Sequence, residues 1–151
     1  MTTAPELFDL THAECAVLLR AHRVGRVAIG TPVGPYIVPV NYAVIEDSTG
    51  AGIVFRTAPY SLLGTHIDNA MVAFEVDHSD LERHRGWSVV VRGHSTVIAG
   101  KDIGAVRDHF EPGPWAAGTR NLYVRIPFTE VTGRRIGRDW DPLHALDVTS
   151  A

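Results

Sequence analysis

The run Tyr36-Ile37-Val38-Pro39-Val40-Asn41-Tyr42-Ala43-Val44-Ile45 is followed by Glu46-Asp47-Ser48-Thr49-Gly50-Ala51-Gly52 and then by Ile53-Val54-Phe55-Arg56-Thr57. β-Branched and aromatic residues pack well on a pleated surface, and a polar stretch with two glycines reverses a chain. The three pieces therefore predict a hairpin. Pro39 qualifies it. A proline has no N–H to give to a ladder, so it marks an edge, a bulge or a place where a ligand runs beside the strand.

Upstream of this hairpin, Thr11-His12-Ala13-Glu14 has the spacing of a capping box. Cys15, Leu18, Leu19 and His22 follow at i, i+3, i+4 and i+7. That period predicts an amphipathic helix of about three turns, with Gly25 as its stop. Residues 26–29 read as a short strand, and Thr31-Pro32-Val33-Gly34-Pro35 as a turn.

Downstream, Ala58-Pro59-Tyr60 leads into a short helix expected to start near Ser61. Residues 71–76 read as a strand, 77–86 as an exposed polar loop, and 87–99 as a long strand. In that long strand Val89-Val90-Val91 breaks any alternation, which predicts burial on both faces. Residues 102–110 are weakly helical and 111–115 form a loop. Residues 122–128 and 129–136 read as strands, and the tail from about 137 is irregular. Six or seven short strands with two or three small helices predict a mainly β chain, a closed antiparallel barrel with helices at its ends. A doubly wound sheet would need a helix between each pair of strands, and the chain lacks them. Residues 1–151 read as one domain.

The 151 residues are 45% hydrophobic. A chain of that size buries roughly 70% of its unfolded surface, so no disulfide or metal staple is required. A single cysteine, Cys15, excludes a disulfide framework. The formal charge of −3 argues against nucleic acid as a partner. No apolar run approaches the roughly 18 residues of a membrane span, and the N-terminus lacks the pattern of a signal peptide. A soluble, cytoplasmic protein without membrane contact is expected.

Few side chains suggest chemistry of their own. The 8 histidines fall at no metal-ligand spacing. No Gly-x-Ser-x-Gly elbow or glycine-rich phosphate loop is present, and Cys15 lies on the apolar face of its helix. Arg134, Arg135 and Arg138 read first as a solvated strand end. With one lysine, Lys101, and 13 arginines, anion binding must use arginine, hydroxyls or amides. The better set is Arg56 with the hydroxyls of Thr57 and Ser61, where a strand hands over to a helix start. The proline-containing strand beside it can lend backbone groups to a flat heterocycle.

The order Val38-Pro39-Val40-Asn41-Tyr42, Phe55-Arg56-Thr57-Ala58-Pro59, Met71-Val72-Ala73-Phe74-Glu75-Val76-Asp77 and Gly86-Trp87-Ser88-Val89-Val90-Val91-Arg92-Gly93 resembles the pyridoxamine 5'-phosphate oxidase-like proteins of the FMN-binding split-barrel superfamily. Trp115-Ala116-Ala117-Gly118 and Val131-Thr132-Gly133-Arg134-Arg135 share the likeness. The resemblance implies a six-stranded split barrel that forms a homodimer and holds FMN at the dimer interface. On that basis Val38, Pro39, Val40 and Asn41 would line the isoalloxazine. Arg56, Thr57 and Ser61 would lie near the phosphate, and Trp87 and Ser88 near the ring or ribityl chain. Relatives commonly carry a basic residue at the position of Leu62 or Leu63, and this chain has leucine at both. The family's pyridoxal-phosphate pocket is not traceable here. The function implied is a flavin-dependent oxidoreductase acting on a small molecule, with no catalytic side chain and no metal. A deazaflavin coenzyme in the same fold, or a non-enzymatic flavin- or haem-binding module, is the alternative.

Overall fold

A computed structural model describes residues 6–110, 121–144 and 146. Its strands are β1 (Leu7–Asp9), β2 (Val24–Thr31), β3 (Gly34–Asp47), β4 (Gly50–Thr57), β5 (Ala70–Asp80), β6 (Arg85–Val97), β7 (Leu122–Pro127) and β8 (Glu130–Ile136). The α-helices are α1 (His12–Ala21), α2 (Leu62–His66) and α3 (Ile103–Arg107), the last between two single 3-10 turns.

Every pairing is antiparallel. The order β6-β5-β2-β3-β4-β7 returns to β6 through Thr96↔Arg125 and Val97↔Val124. Six strands thus close the barrel, as expected, and β8 with β1 extends from it as a flap. Two strands change partners midway. On one edge β6 gives residues 86–92 to β8 and 96–97 to β7. β3 pairs through 34–41 with β2 and through 42–47 with β4. These two handovers split the barrel wall.

The interior is filled by side chains at alternate positions of the strands. Phe55, Phe74, Val89, Val91, Val124 and Ile126 are all fully buried. The Tyr42 ring meets Phe74 edge-on at 4.8 Å, and its hydroxyl donates to the Leu19 carbonyl at 2.6 Å. That bond ties β3 to α1. Burial also pushes the Tyr42 hydroxyl pKa up, so it stays a donor. The capping box of α1 forms in both directions: Thr11 N–H donates to Glu14 at 2.7 Å and Glu14 N–H to Thr11 at 3.2 Å. The helix seats against β8 at Gly133, where a Cβ would stand 2.6 Å from Cys15 Sγ. A second, smaller cluster (Ile45, Val54, Val106 and Tyr123) lies where α3 covers the outer wall.

Several expectations are corrected. Helix α1 ends at Ala21 with His22 as its cap, and Gly25 lies inside β2. Gly25 is required there because a Cβ would come within 2.3 Å of the Phe74 ring. β5 and β6 run further toward each other than expected, which leaves a short turn in place of a long polar loop. β6 alternates: Trp87, Val89 and Val91 face inward, while Ser88 and Val90 are half-buried and Arg92 is exposed. Three valines in a row do not reveal which of them faces out. β1 was not anticipated, because three residues are too few to show a period. Trp115 through Gly118 and the loop around them lie outside the described residues.

Candidate functional site

Tyr42↔Phe55 is the last residue pair between β3 and β4. Beyond it, Asn41 and Val40 continue along β2, while Arg56 and Thr57 continue along β7. The strands part here, and no described strand pairs with the second edge of residues 34–41. An open edge exposes a row of amides and carbonyls. One lip of this opening is therefore β3, and the other is the end of β4 with the turn into α2.

On the β3 lip, Val38 and Val40 pack into the core, Val40 being 8% exposed. What they can offer a ligand is backbone. Ile37 is 63% exposed and Pro39 also faces out. Pro39 pairs in register with Arg26, whose guanidinium bonds Asp77 and lies 3.4 Å from Glu75. Burial, with the nearby Asp77 charge, pushes the Glu75 carboxyl pKa up.

On the other lip, the Arg56 guanidinium stands 5.1 Å over the Tyr123 ring, its cross-strand neighbour. Thr57 is buried, and its hydroxyl lies 3.3 Å from that of Ser61. Ser61 caps α2 by accepting from Gly64 N–H at 2.9 Å and donates its one proton to the Ala58 carbonyl at 2.8 Å. Its donor is spent, so in the 3.3 Å contact Thr57 donates to Ser61 Oγ. Leu63 is 1% exposed and fills the core, whereas Leu62 is half-buried. Of the two leucines, only position 62 can carry a cation without burying it.

A second concave region lies on the outer face of β6 and β8. A cavity of about 530 Å³ is lined by Ser88, Val90, Thr132 and Arg134. A smaller one of about 230 Å³, lined by Asp77, His78, Trp87 and others, shares Ser88 and Arg134 with it. Arg134 is exposed, 3.9 Å from Asp9. Arg135 stacks over Phe8 at 4.3 Å, and Arg138 pairs with Glu6.

The family model for pyridoxamine 5'-phosphate oxidase matches residues 11–135, the helix, the barrel and most of the flap. The chain belongs to that family. An uncharacterised family-sized protein of Mycobacterium tuberculosis, Rv0080, is 34% identical over 139 residues, 91% of this chain and 90% of its own. A crystal structure of a putative pyridoxamine 5'-phosphate oxidase from Corynebacterium glutamicum is 30% identical, with a TM-score of 0.69 over 93% of this chain and 99% of that one. A structure described as an FAD-binding protein from Mycobacterium smegmatis is 29% identical, with a TM-score of 0.67 over 85% and 97%.

Of the residues expected at a family cofactor site, the barrel brings Val38, Pro39, Val40 and Asn41 to one lip and Arg56, Thr57, Ser61 and Leu62 to the other. Trp87 and Ser88 are elsewhere. Round the ring, β2 and β5 stand between β3 and β6. The Trp87 side chain is buried against His22, with ring centroids 4.9 Å apart, and Trp87 lines only the smaller outer cavity, whereas Ser88 lines both. Gly64 is the residue that sequence reasoning missed. A Cβ there would stand 2.1 Å from the Ala58 carbonyl, so the turn and α2 can close on each other only over glycine. A glycine inside a five-residue helix was the available signal.

Proposed function

We propose that this chain is a flavin-dependent oxidoreductase acting on a small molecule, with a phosphorylated flavin held at the β3–β4 opening. The open edge of β3 facing Arg56 and Thr57 is the observation that carries this reading. A flavin ring has a polar rim of donors and acceptors, which an unpaired strand edge matches with backbone groups. Arg56 supplies charge for the phosphate, beside the Thr57–Ser61 hydroxyl pair. Family membership supports the reading, as does the FAD-binding relative from Mycobacterium smegmatis.

When bound, the flavin supplies a ring that accepts and returns a hydride, and the protein's part is position, charge and access. No side chain at the opening is assigned as a general acid or base. Arg56 anchors the phosphate and thereby fixes where the ring meets the β3 edge. Val38 and Val40 keep that edge straight by packing into the barrel.

The site is completed by a second copy. Ile37 and Met71, 63% and 55% exposed, face outward on the same wall as Pro39 and Ser88. A two-fold partner that covers this wall also brings its own Ser88 cavity toward the opening. That arrangement explains why Ser88 belongs to the family pattern yet lies far round the barrel from Arg56.

Purified protein is expected to be yellow, with a flavin spectrum that is released on denaturation, and to scatter light as a dimer. A colourless protein that takes up neither FMN nor FAD overturns the proposal. A deazaflavin spectrum instead selects the related coenzyme, and a monomer removes the shared site.

A further inference from the structure

The outer face of the wall from β3 to β1 is built in rows across the ladder. Pro39, Arg26, Glu75, Val90 and Thr132 stand side by side in one of them. The row beyond it holds Asp77, Ser88, Arg134 and Asp9. The row before it runs from Ile37 and Ala28 through Ala73 to Arg92 and Glu130. The middle of the wall is small or apolar, with Ala28, Ala73 and Val90 half-buried. Its charges come in matched pairs. Arg92 stands 3.3 Å from Glu130 and Arg134 3.9 Å from Asp9, one charge against one. A face balanced in this way can lie on a copy of itself without burying net charge.

Glu75 breaks the balance. Arg26 bonds Asp77 and lies 3.4 Å from Glu75, so one guanidinium faces two carboxyl groups. Glu75 and Asp77 are two residues apart on one face of β5, close enough for a protonated Glu75 to donate to the Asp77 carboxylate. Burial and the Asp77 charge already push the Glu75 carboxyl pKa up in the single chain, where 32% of its side chain is still in water. On β2 its neighbours are Arg26 and the uncharged Val24 and Ala28. On β6 they are Val90, Ser88 and Arg92, the last already paired. His94 is on the same face two residues beyond Arg92, beside Met71. With Glu75 ionised the cluster of three carries one negative charge, and with Glu75 protonated it carries none.

We propose that Glu75 couples assembly to pH: its carboxyl takes up one proton from solvent as a second copy covers this wall, and returns it when the copies part. It rests on the second copy proposed above as the cover of the wall. A buried charge without a partner is costly, and protonation removes it at both symmetry-related clusters. The dimer then binds more protons than two free chains. It tightens as pH falls and loosens as pH rises through the Glu75 titration, above the ordinary glutamate value of about 4.3. The direction is diagnostic. Protonating a carboxylate of a matched pair would leave an arginine unpaired and weaken assembly instead. Because the second copy completes the flavin opening, the same proton governs how much of that site is complete.

The test is the dimer dissociation constant of the full chain, from sedimentation of a dilution series between about pH 5.5 and pH 8. Wild-type dimer should loosen by about ten- to a hundredfold per pH unit where the dependence is steepest, one to two protons being released per dimer. Glu75→Gln has no proton to release, and Asp77→Asn leaves one carboxylate for one arginine. Each should flatten the dependence and hold the dimer about tenfold or more tighter than wild type at about pH 8. His94→Gln should keep the slope. Equal thermal midpoints check folding, and Asp77→Asn decides alone if Glu75→Gln does not fold. A wild-type dimer that is indifferent to pH or loosens in acid overturns the proposal and leaves the shared site standing. A slope that survives Glu75→Gln, or is lost in His94→Gln, does the same. A monomer at every pH overturns both.

Discussion

The two halves of β3 are made of the same kinds of residue and live in different surroundings. Residues 42–47 lie beside β4, and Tyr42, Ala43 and Ile45 are buried. Among the described strands, residues 34–41 pair with β2 alone, and they expose Tyr36, Ile37 and Pro39. β-Propensity does not distinguish the halves. A strand half paired and packed on all sides serves the fold, whereas an open edge is a liability unless something covers it. The open half is thus where cofactor and partner are expected.

The largest expected effect tests this contrast directly. Tyr42→Ala removes a ring packed on Phe74 and a bond to Leu19, and should lower stability by about 3–5 kcal/mol. Ile37→Ala on the open half should change the stability of the single chain by only about 0.5 kcal/mol and should raise the concentration at which the dimer dissociates. Urea midpoints at unchanged slope, with light scattering, make the comparison. Equal losses at both positions would erase the distinction between the halves.

Next in size, Arg56→Ala should weaken binding of phosphorylated flavins about ten- to a hundredfold, an arginine–phosphate contact being worth about 1.5–3 kcal/mol. Riboflavin, which has no phosphate, should bind both proteins alike. A variant that binds FMN and FAD normally would move the anion contact to the other wall, where Arg134 lines the outer cavity.

The smallest expected effect is a gain. Leu62→Lys places an ammonium on the half-buried position of α2 and should strengthen phosphorylated flavins by about 1 kcal/mol or less, fading as salt rises. A titration at two ionic strengths, with riboflavin as control, reads it. Weaker binding at both strengths would assign Leu62 to packing against the ligand itself.

Much of the fold was legible because its signals are local. The capping box of Thr11 and Glu14, the apolar period of α1 and the turn between β3 and β4 each depend on residues a few positions apart. Arg56, Thr57 and Ser61 were legible for the same reason, as one strand end and one cap. Gly25 was misread as a helix stop because its need to be small comes from Phe74, a residue of β5. The three-valine run of β6 was misread because facing is set by the barrel. Val89 and Val91 point inward, while Val90 stands in register with Glu75 of β5 and Thr132 of β8.

Sequence alone therefore determined most of the elements, the antiparallel barrel and the family pattern, carried by short-range geometry and the alternation of apolar side chains. Tertiary structure decided which edge of β3 stays open, that Ser61 has no proton to spare, that Leu63 is core while Leu62 is not, and that Ser88 lies on a different wall from Arg56. Those outcomes depend on where strands far apart in sequence leave one another. Closing a ring of six strands sets that for the whole molecule at once, and no local run of residues encodes it.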